Sequence, residues 1–267
     1  MPLMHLFLVA VIQGITEFLP ISSSGHLILL PRLTGLPDQG LVIDVAVHVG
    51  TLAAVILYFW SDVKVVLTGT TRLLRGKVDT AAAFLALCLA VATVPAVIFG
   101  LAIKLAGVDA LMRSIALIGW TMLGFGLVLY WADRVGEQTR VARDWTLRHA
   151  VIMGLWQALA LIPGTSRAGI AITGARLLGY ERVEAARLSM LMAIPTILAS
   201  GVVVAADVAA QADMQAARDG LIGAVFAFLS ALAALAVMMR LARSISFTPY
   251  VVYRVALGLV LLWIAYA

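Results

Sequence analysis

Gln13-Gly-Ile-Thr-Glu17-Phe-Leu-Pro20-Ile-Ser22-Ser23-Ser24-Gly25-His26 sets a carboxylate, an amide, several hydroxyls and an imidazole inside strongly apolar sequence. Gln157-Ala-Leu-Ala-Leu-Ile162-Pro163-Gly164-Thr165-Ser166-Arg167-Ala168-Gly169 does the same with an amide, two hydroxyls and a guanidinium. An ionisable side chain held at membrane depth costs about 2.5–3.5 kcal/mol or more, so such residues mark function by default. Glu17, His26 and Arg167 are the residues to explain. Each stretch is an apolar segment broken in the middle by Pro with Ser, Thr or Gly, and each half is too short to cross a bilayer. A re-entrant helical hairpin that enters and leaves on one side fits both, because lipid tolerates irregular backbone only where protein or a cavity surrounds it.

The rest of the chain supplies the spans. With 63% hydrophobic and 12% charged residues and a mean hydropathy of +1.05, the chain is an integral membrane protein. Apolar runs long enough to cross are Leu41–Trp60, Ala81–Ala106, Arg113–Trp131, Ala186–Ala206, Leu221–Met239 and Pro249–Tyr266, with Pro95 and Pro195 read as kinks inside two of them. Met1 to Phe18 lacks a basic n-region and carries Glu17, so it reads as part of the fold and not as a removable leader. Cys88, the single cysteine, reads as a small buried hydrophobe.

The pattern has a period. Pro20 to Gly25 lies over Pro163 to Ala168, each preceded by a half-helix with a glutamine and followed by three spans. The expected architecture is one all-α polytopic membrane domain, residues 1–267. It contains six transmembrane helices and two re-entrant hairpins, in two repeats, 1–131 and 145–267. Three crossings separate the hairpins, so the second repeat enters from the opposite face and the topology is inverted. The two breaks are then expected to meet.

Charge orients this scheme. If the first hairpin opens on side A, side B receives Lys64, Arg72, Arg75, Lys77, Arg134, Arg140, Arg143, Arg148, Arg176, Arg182, Arg187, Arg240 and Arg243. Side A keeps Arg32, Lys104, Arg113 and Arg218. The positive-inside rule makes side B cytoplasmic, with both termini and the first hairpin's mouth outside. The net charge of +5 and pI near 9.7 are therefore a topology signal. No continuous basic face invites nucleic acid, although the cytoplasmic loops suit anionic lipid headgroups.

Each break starts a new half-helix, and a helix N-terminus binds anions through its free N–H groups and dipole. Two such starts facing each other, lined by Ser22, Ser23, Ser24, Gly25, Gly164, Thr165 and Ser166, suit a phosphate or diphosphate. Arg167 adds a planar fork for phosphate oxygens. Gln13 and Glu17 share a helix face, and the carboxylate is placed to hold a divalent cation. His26 is placed for proton transfer. The plain alternatives are hydroxyls bonded to their own helix turn, a structural Glu17–Arg167 pair, and Asp44 with His48 as an interfacial polar pair and not as partners behind the site. His5, His149 and Arg254 read as interfacial groups. Trp60, Tyr130, Trp131, Trp145 and Tyr266 read as an aromatic belt.

The two motifs resemble the signatures of the undecaprenyl-diphosphate phosphatase family of the bacitracin-resistance type, and the resemblance runs over essentially the whole chain. It implies a bacterial inner-membrane enzyme with its site facing the periplasm. Such an enzyme hydrolyses undecaprenyl diphosphate to the monophosphate, recycling the lipid carrier for cell-wall synthesis with a divalent cation, Mg²⁺ or Ca²⁺. The same resemblance puts Glu17 on the essential acid, His26 on the essential histidine, Ser23 on the favoured nucleophile and Arg167 on the essential arginine. Gln13 stands where many members have Glu, Ala168 where Ser is usual and Ala171 where Thr is usual. Ser23, His26 or a water remains open as nucleophile, and the oligomeric state, a homodimer included, is left open. The rival class is a secondary transporter of lipid phosphate or another anion, since inverted repeats with broken helices are common there.

Overall fold

The computed structural model describes residues 1–35, 37–107, 114–211 and 213–267, and it is helical with no strand among them. In chain order the helices are α1 (Leu3–Phe18), α2 (Ser23–Leu27), α3 (Leu30–Thr34), α4 (Leu41–Tyr58), α5 (Trp60–Leu73), α6 (Ala81–Ala106) and α7 (Ile115–Val135). They continue with α8 (Leu147–Ala158), α9 (Arg167–Leu177), α10 (Arg182–Gln211), α11 (Met214–Ser244) and α12 (Thr248–Tyr266). Six of these, α4, α6, α7, α10, α11 and α12, are long and apolar enough to cross a membrane. They match the six predicted spans. Arg113, the predicted start of the third, lies outside the described residues, as does the side chain of Arg32.

Helices α6 and α10 run through Pro95 and Pro195 without a break. Thr80, Ser114, Thr146 and Asp213 cap α6, α7, α8 and α11 by accepting backbone N–H bonds, which satisfies donors that a helix start otherwise leaves open. The stretch from Lys64 to Lys77 that the charge count puts in a cytoplasmic loop is helical as far as Leu73, within α5, whose Trp60, Val65 and Leu67 are exposed beside Lys64 and Arg72. That pattern suits a helix lying at a headgroup boundary.

The halves exchange their broken helices. α1 packs along α11 of the second half, and α8 packs along α6 of the first. The contacts are close because small residues face backbone. A Cβ on Gly14 would lie 2.6 Å from the Ala227 carbonyl oxygen, and one on Gly154 2.5 Å from that of Ala92. Such close approach drives helix association where lipid removes the hydrophobic incentive.

Polar contacts gather the chain ends by side. Asp133, at the end of α7, accepts from Arg176 Nε at 3.0 Å, Arg182 Nε at 2.8 Å and the Phe247 N–H at 3.1 Å. Asp62 pairs with Arg187. The ends of α4, α7 and α9 and the starts of α10 and α12 therefore share one side, the one assigned to side B. At the other side Lys104 meets Asp207 at 3.2 Å and the N-terminal ammonium meets Asp219 at 2.6 Å. Arg176, assigned to side B, is wholly buried and also bonds the Gly136, Glu137 and Tyr180 carbonyls, acting as a clasp.

Several interfacial readings change. Trp60, Tyr130, Trp131 and Tyr266 are exposed as a belt requires, but Trp145 is buried. His5 is buried, and His149 bonds the Tyr180 hydroxyl at 2.7 Å. Arg254 is not interfacial either: it is fully enclosed in the centre of the fold. Cys88 is buried as read.

Candidate active site

Both breaks put a serine at the start of the following helix in a backbone conformation unusual for any residue but glycine. Ser22 has φ 75° and ψ 108°, and Ser166 has φ 69° and ψ 112°. They are the only non-glycine residues with positive φ among those described. Each such conformation costs about 1–3 kcal/mol and persists only where surrounding contacts over-determine it, which is common at functional sites. The matching angles also correct the register read from the prolines. Ser22 corresponds to Ser166, so Ser23 corresponds to Arg167, Gly25 to Gly169 and Gln13 to Gln157.

The second half-helices differ. α9 is 11 residues long, with Ser166 Oγ accepting from the Gly169 N–H at 3.2 Å. The continuous segment expected after the first break is instead two five-residue helices, α2 and α3. So short a helix has little dipole, and the first break therefore contributes mainly side-chain groups.

The breaks do meet. The Gly164 N–H donates to Ser24 Oγ at 3.0 Å, Ser24 Oγ lies 3.0 Å from Ser22 Oγ, and Thr121 of α7 donates to the Pro163 carbonyl. Gly164 has φ 87°, and a Cβ there would lie 2.6 Å from the Ile118 carbonyl oxygen, so the turn has no room for a side chain. Gly25 faces the flexible Met122 side chain, whose Sδ would be 2.4 Å from a Cβ and would have to shift to admit one. Thr165 is buried, and its hydroxyl has no partner among the described residues.

Glu17 is the hub. Its Oε1 accepts from Arg167 Nη2 across the two halves. Its Oε2 accepts from Gln13 Nε2 at 2.8 Å and from Ser23 Oγ at 3.2 Å. His48, read as an interfacial residue, lies in the same network, with Nε2 3.8 Å from Glu17 Oε2 and 3.1 Å from Gln13 Nε2. Its Nδ1 sits 2.7 Å from the Asp44 carbonyl, which can only accept. The neutral ring therefore carries its proton on Nδ1 and accepts from Gln13 at Nε2. Gln13 thus bridges carboxylate and imidazole with its two amide hydrogens.

His26 stands apart from this cluster. Its Nδ1 is 2.7 Å from the Ser22 carbonyl, its Nε2 is 2.7 Å from the Tyr253 hydroxyl, and the two rings stack. By the same logic its neutral ring donates to Ser22 and accepts from Tyr253. The structure thus unites Gln13, Glu17, Ser23 and Arg167, adds His48, and seats His26 on the flank.

A cavity of about 900 Å³ opens over the cluster. Its polar floor holds Glu17, Ser22, Ser23, Ser24, Ser166, Arg167 and His48, and Gln157 and Thr196 face it from the second half. Its walls from α4 and α10 are apolar, with Leu41, Val45, Val49, Val202 and Val208. A site so divided suits a molecule with an anionic head and a hydrocarbon tail.

A divalent cation is testable against these donors. No group of three or more His, Cys, Asp or Glu side chains able to hold a metal occurs among the described residues. Mg²⁺, however, is commonly held by one or two carboxylates with phosphate oxygens and water. Glu17 supplies the carboxylate, and the buried Gln13 Oε1 has no hydrogen-bond partner. Those two oxygens fit a cation that arrives with a phosphate group.

Comparison with known proteins bears on the same residues. Residues 6–260 match the family model described as bacitracin resistance protein BacA. The chain is 70% identical to the undecaprenyl-diphosphatase of Roseobacter denitrificans and 68% identical to that of Dinoroseobacter shibae, over the full length of both proteins. It is 47% identical to undecaprenyl-diphosphatase 1 of Rhodospirillum rubrum, covering all of this chain and 96% of that protein.

Proposed function

Because the chain belongs to the bacitracin resistance protein BacA family, we propose that it hydrolyses undecaprenyl diphosphate to undecaprenyl phosphate and inorganic phosphate. The observation that carries the reading is the Ser23 hydroxyl donating to Glu17, itself paired with Arg167, where both breaks meet under a cavity with apolar walls. The product is the lipid carrier returned for cell-wall synthesis, and its recycling underlies bacitracin resistance.

Ser23 Oγ attacks the terminal phosphorus while Glu17 Oε2 takes its proton. The bond from that phosphorus to the bridging oxygen breaks, and undecaprenyl phosphate leaves. Arg167 and the N–H groups at the start of α9 stabilise the charge on the phosphoryl oxygens in flight. Water then cleaves the phosphoseryl bond with Glu17 guiding the protons, releasing inorganic phosphate and restoring Ser23. His26 engages Ser22 and Tyr253 with its two nitrogens, so we assign it to holding the first break and Ser23 to the nucleophilic role. A cation held by Glu17 and Gln13 would draw charge from the diphosphate oxygens.

The apolar walls of α4 and α10 receive the prenyl tail. In this proposal α1–α2 and α8–α9 are re-entrant hairpins, the site faces the periplasm, and the chain lies in the bacterial inner membrane. The groups named belong to one chain, and the proposal assigns no catalytic group to a second copy.

Purified protein in detergent is expected to release inorganic phosphate from a C55 or C15 prenyl diphosphate, and a chelator is expected to suppress it. No gradient exists in detergent, so a transporter would release none, and that result would sink the reading. Orientation has its own test. A reporter fused after Ala267 is expected to work only in its periplasmic form, and activity confined to a cytoplasmic reporter would reverse the topology.

A further inference from the structure

Helix α12 passes behind both breaks and carries a charged side chain that the mechanism above leaves unused. Arg254 is 0% exposed. Its donors go to carbonyl oxygens: Nε to Met122 at 3.3 Å, Nη1 to Pro20 at 3.5 Å, and Nη2 to Gly164 at 3.1 Å and Thr165 at 2.9 Å. No carboxylate pairs with it among the described residues. One guanidinium thus ties the first break, the second break and α7 together.

The packing around it is shaped to admit it. A Cβ on Gly169 would lie 2.8 Å from Arg254 Nη1, closer than side chains approach, while one on Gly126 of α7 would lie in ordinary contact range of the same side chain. Burying an unpaired cation is costly, and carbonyl dipoles offset only part of that cost. Arg167 pairs with Glu17 and the Asp44 carboxylate also lines the cavity, whereas Arg254 has no carboxylate partner among the described residues and brings its positive charge up against both breaks.

The contacts also aim backbone donors. A trans peptide is planar, with its N–H opposite its carbonyl. Arg254 draws the Thr165 carbonyl towards itself, so the Ser166 N–H of the same peptide points the other way. Ser166 and Arg167 line the cavity, whereas the enclosed Arg254 does not.

We propose that Arg254 is a positioning residue for the hydrolysis. It fixes Ser23 on one break against Ser166 and Arg167 on the other, and it supplies positive charge for diphosphate binding. The proposal rests on the phosphatase reading.

The test compares wild type, Arg254→Lys, Arg254→Met and Gly169→Ala in detergent. Three quantities are measured: melting temperature, phosphate release from farnesyl diphosphate per folded molecule, and affinity for inorganic pyrophosphate. Arg254→Lys keeps the charge but cannot reach four carbonyls, so kcat should fall at least about tenfold with KM and pyrophosphate affinity nearly unchanged, because small misplacements of catalytic groups are that damaging. Arg254→Met should lose at least about tenfold in pyrophosphate affinity as well. Gly169→Ala keeps the charge and displaces Nη1, with its Cβ also 3.3 Å from Ser166 Oγ, and should show the kcat loss of the lysine variant with pyrophosphate affinity unchanged. If either arginine variant does not fold, Gly169→Ala decides: a kcat loss at wild-type pyrophosphate affinity supports the proposal, whereas unchanged kcat, or a loss accompanied by weakened pyrophosphate binding as expected of a disturbed Ser166, overturns it. Lowered melting temperature with unchanged kcat in Arg254→Lys and Gly169→Ala would make Arg254 structural only and overturn the proposal. Wild-type phosphate release tests the phosphatase reading separately, and if it were absent pyrophosphate binding would still report on Arg254.

Discussion

Glu17→Gln is expected to abolish phosphate release while leaving the protein folded and inserted. The amide keeps nearly the same shape, so packing against α2 and α9 survives. What it removes is the acceptor for the Ser23 proton and the negative charge opposite Arg167. A general base contributes about 10²–10⁴ in rate, and losing the proton acceptor of a nucleophile removes that contribution outright. Removing one partner of a buried pair also leaves the other charge uncompensated, about 3–5 kcal/mol in a dry site. Arg167 keeps 16% of its side chain exposed towards the cavity, so its stability loss should fall well short of that range. Gln13→Ala should be milder, since it loses one donor to Glu17 and the bridge to His48 but no charge. The measurement is phosphate release over a range of Mg²⁺ concentrations beside a melting curve, and near wild-type turnover by Glu17→Gln would refute the role given to this carboxylate.

Arg167→Lys is expected to lower kcat at least about 10²-fold with little change in melting temperature, because a donor preorganised on developing charge is typically worth about 10²–10³. Lysine preserves the attraction to Glu17 but loses the planar fork that can hold that carboxylate and a phosphoryl oxygen together. A purely structural partner of Glu17 would tolerate the exchange. The double change Glu17→Gln with Arg167→Gln sharpens the distinction, because it removes both charges and relieves any pairing cost. It should fold and stay inactive. Retained kcat with lost stability in Arg167→Lys would mean that this arginine joins the breaks and does not act on phosphate.

The sequence by itself determined the six spans, their order, and the two interruptions where polar side chains meet proline and serine. That information is local: a bilayer demands about 20 apolar residues per helix, so every exception stands out against the background. Gln13, Glu17, Ser23 and Arg167 were legible for that reason, and so was the expectation that the two breaks meet. His48 and Arg254 were not. His48 lies one turn from Asp44 and Arg254 is the one charged residue of its span, and in neither case can the neighbours in sequence distinguish a headgroup contact from a central one. Only packing of α4 against α11 and of α12 against α7 put His48 beside Glu17 and Arg254 behind both turns, across separations of 31 to 234 residues. Tertiary structure also decided the register of the halves. Serine has no intrinsic preference for positive φ, so the match of Ser22 with Ser166 is imposed by contacts around each turn and is invisible in a proline-based alignment. It likewise separated His26 from Glu17. Spacing along a helix fixes which residues share a face, but which face meets the cavity depends on what packs against the other side, here Tyr253 of α12.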